Sequence, residues 1–179
     1  MLNREKAVLV FIDVQGKLHD IMHGKEILDG NLERMIRCAQ LLEIPILGTE
    51  QIPEKLGTTN EPFLSLLADF PMIGKTAFSC WGEPEFVEQF KSNRRKQAIL
   101  IGIEAHICVY QTALDLLENG FEVFIIADAV SSRTPENKQL AIQAMRDAGA
   151  EILPAETALF TLLHDAADPR FKELLKLIK

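Results

Sequence analysis

Ala7 to Ile12 reads Ala-Val-Leu-Val-Phe-Ile, an unbroken apolar run ended by Asp13. A strand wetted on one face alternates apolar and polar residues, so a run without alternation describes a strand covered on both faces. Gln97 to Ile101 and Phe121 to Ala127 repeat the pattern, and Pro45–Thr49, Pro71–Gly74 and Glu151–Leu153 read as shorter strands. Amphipathic segments lie between them. Asn31 is placed to cap a helix with Leu32, Met35, Ile36 and Ala39 on one face. Further helices are expected over Glu61–Phe70, Glu83–Ser92 and Tyr110–Glu118, the last stopped by Asn119-Gly120. Thr134-Pro135-Glu136 opens another, stopped by Gly149, and Ala155–Leu163 and Pro169–Ile178 follow. Lys17–Gly24 and Glu50–Asn60 read as irregular connections. Strands alternating with helices pair in parallel through right-handed crossovers. The expectation is an α/β fold: a three-layer α/β/α sandwich with a mainly parallel, doubly wound sheet of about six strands, in one domain over residues 1–179.

Open parallel sheets bind ligands at the carboxyl ends of their strands. Asp13, Lys75, Cys108 and Asp128 each follow an expected strand, which assigns all four to one edge. Cys108 stands where a strand gives way to the first turn of a helix, among free backbone N–H groups that favour negative charge. A thiolate can be stabilised there, and the bland alternative is a buried thiol that packs as a small hydrophobe. Taken singly, Asp13 reads equally as a cap at a strand exit, and Lys75 as a surface lysine. Together the three supply a proton acceptor, a cation and a nucleophile.

Composition excludes several roles. A net charge of −7 does not suit nucleic-acid binding, and Arg94-Arg95-Lys96 is a short solvated cluster. Cys38, Cys80 and Cys108 are too few and too irregular for a disulfide framework or a zinc site. No apolar run approaches membrane-spanning length, and Met1 to Lys6 leads straight into a strand, leaving no room for a signal peptide. The expected setting is cytoplasmic, with neither membrane nor nucleic acid as partner.

Asp13-Val14-Gln15, Gly74-Lys75-Thr76 and the stretch from Gly102 to Val109 (Gly-Ile-Glu-Ala-His-Ile-Cys-Val), in that order and spacing, resemble the isochorismatase-like cysteine hydrolase family. Its relatives include nicotinamidases and N-carbamoylsarcosine amidases. Ala127-Asp128-Ala129-Val130 and Ser131-Ser132-Arg133 fit as well, so the resemblance runs from the first strand to near Glu156. The Gly-Ile-Glu-Ala-His-Ile-Cys run is closest in flavour to the isochorismatase-domain-containing subgroup. The resemblance implies a triad with Asp13 as base, Lys75 as its charged partner and Cys108 as nucleophile. It also implies a cis peptide at Ile103–Glu104, and an oxyanion hole made by the backbone N–H groups of Glu104 and Cys108. An oligomer, a homo-oligomer of at least two copies, is implied too.

One departure narrows the chemistry. Nicotinamidases carry an Asp-x-His motif and a further histidine after the second strand, which hold a metal. The matching loop here, Thr49-Glu50-Gln51-Ile52-Pro53, has no histidine. No catalytic metal and no cofactor are therefore expected, and nicotinamide is disfavoured as substrate.

Gln15, His19, Gln51, Phe78, Cys80, Trp81 and Tyr110, from loops after strands and from the nucleophile's helix, are the candidates for the substrate pocket. Phe78 and Trp81 suit either a small planar ligand or packing of the loop or a subunit interface. His106 is a second possible base, or a histidine turned to solvent or bonded to the backbone. The leading expectation is hydrolysis of a small amide, carbamoyl or related substrate through a thioester-type acyl-enzyme. The competing readings are an oligomeric binding or scaffold protein that keeps the fold, and a thiol redox protein in which Cys80 resolves Cys108.

Overall fold

The computed structural model describes residues 1–178. Its centre is one six-stranded sheet, every neighbouring pair parallel. The strands are β1 (Ala7–Ile12), β2 (Ile46–Gln51), β3 (Met72–Lys75), β4 (Gln97–Ile103), β5 (Glu122–Ser131) and β6 (Glu151–Leu153). Their spatial order is β3-β2-β1-β4-β5-β6. Every residue of β1 and β4 is buried, as the unbroken apolar runs require.

The period of two along a strand sends neighbouring side chains to opposite layers. Ala7, Leu9 and Phe11 join one core with Ile99, Ile101 and Phe124, covered by α2 (Lys25–Leu41), α8 (Ala155–Leu163) and α9 (Phe171–Leu177). Val8, Val10 and Ile12 join the other with Leu100 and Ile125, covered by α5 (Pro84–Ser92), α6 (Tyr110–Glu118) and α7 (Pro135–Asp147). The expected three-layer α/β sandwich is observed. Short helices α1 (Gly16–Asp20), α3 (Pro53–Leu56) and α4 (Phe63–Leu66) decorate the carboxyl edge and one face.

Three local expectations are corrected. The helix assigned to an Asn31 cap begins seven residues earlier, after Gly24, whose φ of 65° suits a residue without Cβ. Asn31 lies inside α2, buried, where it donates to the Asp128 carbonyl and accepts from Arg34. Glu50 and Gln51 belong to β2 rather than to the loop after it. β5 does not end at Asp128 but continues to Ser131 through a register shift against β4, between Leu100 and Gly102. Within that irregularity Asp128 turns to the start of α8, accepting from the Ala155 N–H at 2.8 Å. A carboxylate satisfies an orphan donor there. Asp128 therefore serves a helix end, away from the other three residues assigned to its edge.

Candidate active site

The strand order reverses between β1 and β4, and a crevice opens where the two chains leave the sheet in opposite senses. Asp13 leaves β1 and Cys108 follows β4, so both arrive at this crevice. Gly102 leaves no side chain between β4 and β1 there: a Cβ on it would collide with the Ile12 carbonyl oxygen, and its φ of 120° is closed to other residues. Beyond β4 the Ile103–Glu104 peptide is cis. Ala105 to Val109 then form a π-helical turn, with the Val109 N–H bonded to the Glu104 carbonyl at 3.2 Å. Cys108 stands on this wider turn, ahead of α6 rather than in its first turn.

Lys75 comes from β3, two strands away from β1, a separation of about 10 Å that only a long side chain bridges. Its Nζ donates to Asp13 Oδ2 at 2.7 Å, Gln51 Oε1 at 2.6 Å, and the carbonyls of Phe78 and Ala77 at 3.0 and 3.1 Å. Asp13 Oδ1 accepts from Thr49 Oγ1 at 2.8 Å. Both charged residues are 2% exposed. A buried ion pair persists only when its remaining donors and acceptors are met, and here they are.

The thiol of Cys108, 7% exposed, has its pKa raised above the ordinary 9.0, first by burial and then by the negative charge of Asp13, with Lys75 partly opposing. At rest the group is therefore a neutral thiol beside a carboxylate. Burial and the neighbouring Asp13 thus oppose the charged thiolate that a helix start would favour.

A cavity of about 120 Å³ opens over this group. It is walled by Leu18, Leu56, Phe78, Ile103 and Ile107, and floored by Asp13, Gln15, Gln51, Glu104 and Cys108. Gln15 and Gln51 brace it. Gln15 donates to the Gly57 carbonyl at 2.6 Å and accepts from the Gln51 N–H at 2.7 Å, while Gln51 also donates to the Thr76 carbonyl at 2.8 Å. Larger hollows exist, such as one of about 600 Å³ beside Asp128 and Phe160, but its lining holds no cysteine.

Of the residues assigned to the pocket, Gln15, Gln51 and Phe78 line it. His19 sits one layer out, bonded through Nε2 to Asp29 at 2.6 Å and through Nδ1 to Asn60 at 3.1 Å. It ties the loop carrying Leu56 to the turn carrying Leu18. Cys80 lies beneath, with its sulfur 3.6 Å from Thr49 Oγ1. Its pKa is pushed up to about 11 by burial and by Asp13, with Lys75 partly opposing. Trp81 packs edge-on against Phe121 and Phe90, at 5.4 and 6.1 Å between ring centres, under Lys91. Tyr110 packs half-buried against the core under α5, α6 and α7. Neither Trp81 nor Tyr110 is in the cavity lining. His106 bonds Ser132 Oγ at 2.9 Å.

Leu18, Leu56, Ile103, Ile107 and the side chain of Glu104 were not singled out in the sequence. Ile103 and Ile107, the isoleucines at the ends of the Ile-Glu-Ala-His-Ile run before Cys108, give the sequence hint. Among the described residues no three His, Cys, Asp or Glu side chains gather as metal ligands, and no helix is long and apolar enough to cross a membrane.

Comparison with known proteins shows the family and the fold. Isochorismatase domain-containing protein 2 of Homo sapiens is 38% identical over 97% of this chain and 83% of its own. The secreted isochorismatase effector Isc1 of Phytophthora sojae is 37% identical over 97% and 84%. The solved structure of MAR1 ribonuclease from Caenorhabditis elegans superposes with a TM-score of 0.93 at 36% identity, covering 99% of this chain and 91% of that one. Residues 7–157, from the first residue of β1 to the start of α8, match the family described as Isochorismatase domain, and the chain belongs to that family.

Proposed function

We propose that the chain is a cysteine-dependent hydrolase of a small amide, carbamoyl or related compound, working through Asp13, Lys75 and Cys108. The observation that carries this reading is a thiol and a carboxylate meeting in one small cavity, with the carboxylate fixed from outside the lining by Lys75 and Thr49. Family membership supports hydrolysis as the reaction class.

Cys108 Sγ attacks the carbonyl carbon as its proton passes to Asp13. Proton transfer during attack suits a thiol that is neutral at rest. The oxyanion forms against the backbone N–H groups of Glu104 and Cys108, donors worth roughly 2.7–4 kcal/mol each in comparable sites. Asp13 returns the proton to the leaving nitrogen, the C–N bond breaks, and a thioester remains. Water attacks this thioester as Asp13 takes one of its protons, and the sulfur leaves and recovers that proton. Lys75 keeps Asp13 oriented throughout and bonds no substrate, since its Nζ is enclosed by protein acceptors.

The nematode neighbour is called a ribonuclease. For this chain a phosphate track would need a row of cations. The net charge of −7 and a cavity lining without Lys or Arg argue against RNA as substrate.

A panel of small amides, ureides and carbamoyl compounds, with RNA as one arm, tests the reading. Wild type is expected to release amine or ammonia from at least one small compound, and Cys108→Ala to lose that activity. Turnover retained by Cys108→Ala sinks the mechanism, and RNA cleavage lost in Cys108→Ala sinks the substrate class.

A further inference from the structure

Glu104 enters the chemistry above only through its backbone, yet it is an acidic residue in the cavity lining and is 5% exposed. One carboxylate oxygen is engaged: Oε1 accepts from Arg133 Nε at 3.0 Å and from the Arg133 backbone N–H at 3.3 Å, with His106 Nδ1 4.0 Å away. The other, Oε2, meets no donor among the described residues. An acceptor that no protein donor holds, in a residue lining a cavity, is free to take a donor from a bound compound in place of water.

The remaining polar walls offer no such opening. The side-chain amides of Gln15 and Gln51 are taken up by their own bonds, and Asp13 holds Lys75 and Thr49. Asp13 and Glu104 are the charged members of the lining, and both are acidic. The two cations nearby stand outside it: Lys75 has no exposed side chain, and Arg133, half exposed, is held by Glu104. An anion entering this enclosure would meet two carboxylates and no free cation.

We propose that Glu104 is a specificity-determining residue which admits small uncharged carbonyl compounds bearing N–H groups and excludes carboxylates. Oε2 accepts a substrate N–H, while the negative lining repels anions. The name of substrate rests on the hydrolase reading; the discrimination itself does not.

Iodoacetamide and iodoacetate, nearly identical in shape and differing in amide against carboxylate, read this discrimination without turnover. Their rates of alkylating Cys108 are followed by peptide mass spectrometry and divided by the rates for a small free thiol in parallel. Wild type is expected to prefer iodoacetamide by about tenfold or more after this correction. Glu104→Gln, which keeps the shape and frees Arg133, is expected to cut the preference by about fivefold or more, chiefly by a gain for iodoacetate. Arg133→Gln, which leaves Glu104 uncompensated, is expected to raise it, and stands in if Glu104→Gln does not fold. A corrected ratio near one in wild type overturns the proposal, as does a ratio that neither substitution moves. If the thiol reacts with neither reagent, melting temperature in saturating acetamide against acetate replaces the rates. Stabilisation by acetamide alone, lost in Glu104→Gln, supports the proposal, and equal or absent shifts overturn it. Lost discrimination with amide hydrolysis intact overturns this inference and leaves the hydrolase standing; discrimination without hydrolysis does the reverse.

Discussion

Cys38 and Cys108 are both buried, and burial raises the pKa of both thiols. Cys38 lies on the covered face of α2, fully buried, its pKa pushed up to about 12 by burial. Cys108 stands on the π-helical turn after β4, and its pKa is raised by burial and by Asp13. Resting acidity therefore does not distinguish them. What does is a proton acceptor: Cys108 has a carboxylate beside it and a cavity above it, whereas only burial acts on Cys38. Under the proposed mechanism, attack depends on where the proton can go, more than on how much thiolate exists beforehand.

Removing the acceptor should erase the difference. Asp13→Asn is expected to lower turnover of any substrate found by about 10²–10⁴-fold, the usual contribution of a general base. It should also bring the alkylation rate of Cys108 down toward that of Cys38, measured site by site by mass spectrometry. The same change leaves Lys75 buried without its counter-charge, which should destabilise the fold by about 3–5 kcal/mol in urea titration. A Cys108 that alkylates as fast in Asp13→Asn as in wild type would break the comparison.

A smaller effect comes from loosening the acceptor without removing it. Thr49→Val deletes the hydroxyl that bonds Asp13 Oδ1 at 2.8 Å. A hydrogen bond to a charged group contributes about 1.5–3 kcal/mol, so a fall in kcat of about tenfold or more is expected with KM nearly unchanged. Cys38→Ala serves as the contrast and should leave kcat where it was.

The smallest effect per thiol tests what the cysteines share. Folded-state pKa values lie above the ordinary 9.0 for all three, at about 12 for Cys38 and about 11 for Cys80. Below pH 9 native and unfolded thiols are both protonated, and they add no pH dependence. Above it the unfolded thiols release protons that the native ones keep, so stability falls as pH rises. Each buried thiol should contribute a slope of about 1.4 kcal/mol per pH unit between pH 9 and 11. Cys38→Ala should flatten the alkaline dependence of urea stability by that amount, and an unchanged slope would mean its thiol is not held neutral.

The architecture was legible because burial on both faces leaves a one-dimensional trace. Ala7–Ile12 and Gln97–Ile101 needed no alternation, and helices of opposite faces separated them, so a parallel sheet followed. Motif order identified Asp13, Lys75 and Cys108, and β1, β3 and β4 carry them to one edge. Trp81 was misleading for the same reason that it was conspicuous. A large aromatic after a candidate lysine suits a pocket or a core equally, and Phe90 and Phe121, distant in sequence, claim it for the core. Asp128 followed a strand by every local sign. Only the continuation of β5 and the arrival of α8 turn it away from the crevice.

By itself, then, the sequence determined the class of fold, the strand order's raw material and the three residues proposed for chemistry, since each of these depends on periodicity or on motif spacing. The tertiary structure alone decided the size of the cavity, the neutral state of the Cys108 thiol and the free oxygen of Glu104. Volume, desolvation and an acceptor left without a protein donor are properties of groups brought together from strands and loops far apart in the chain, and no local pattern encodes them.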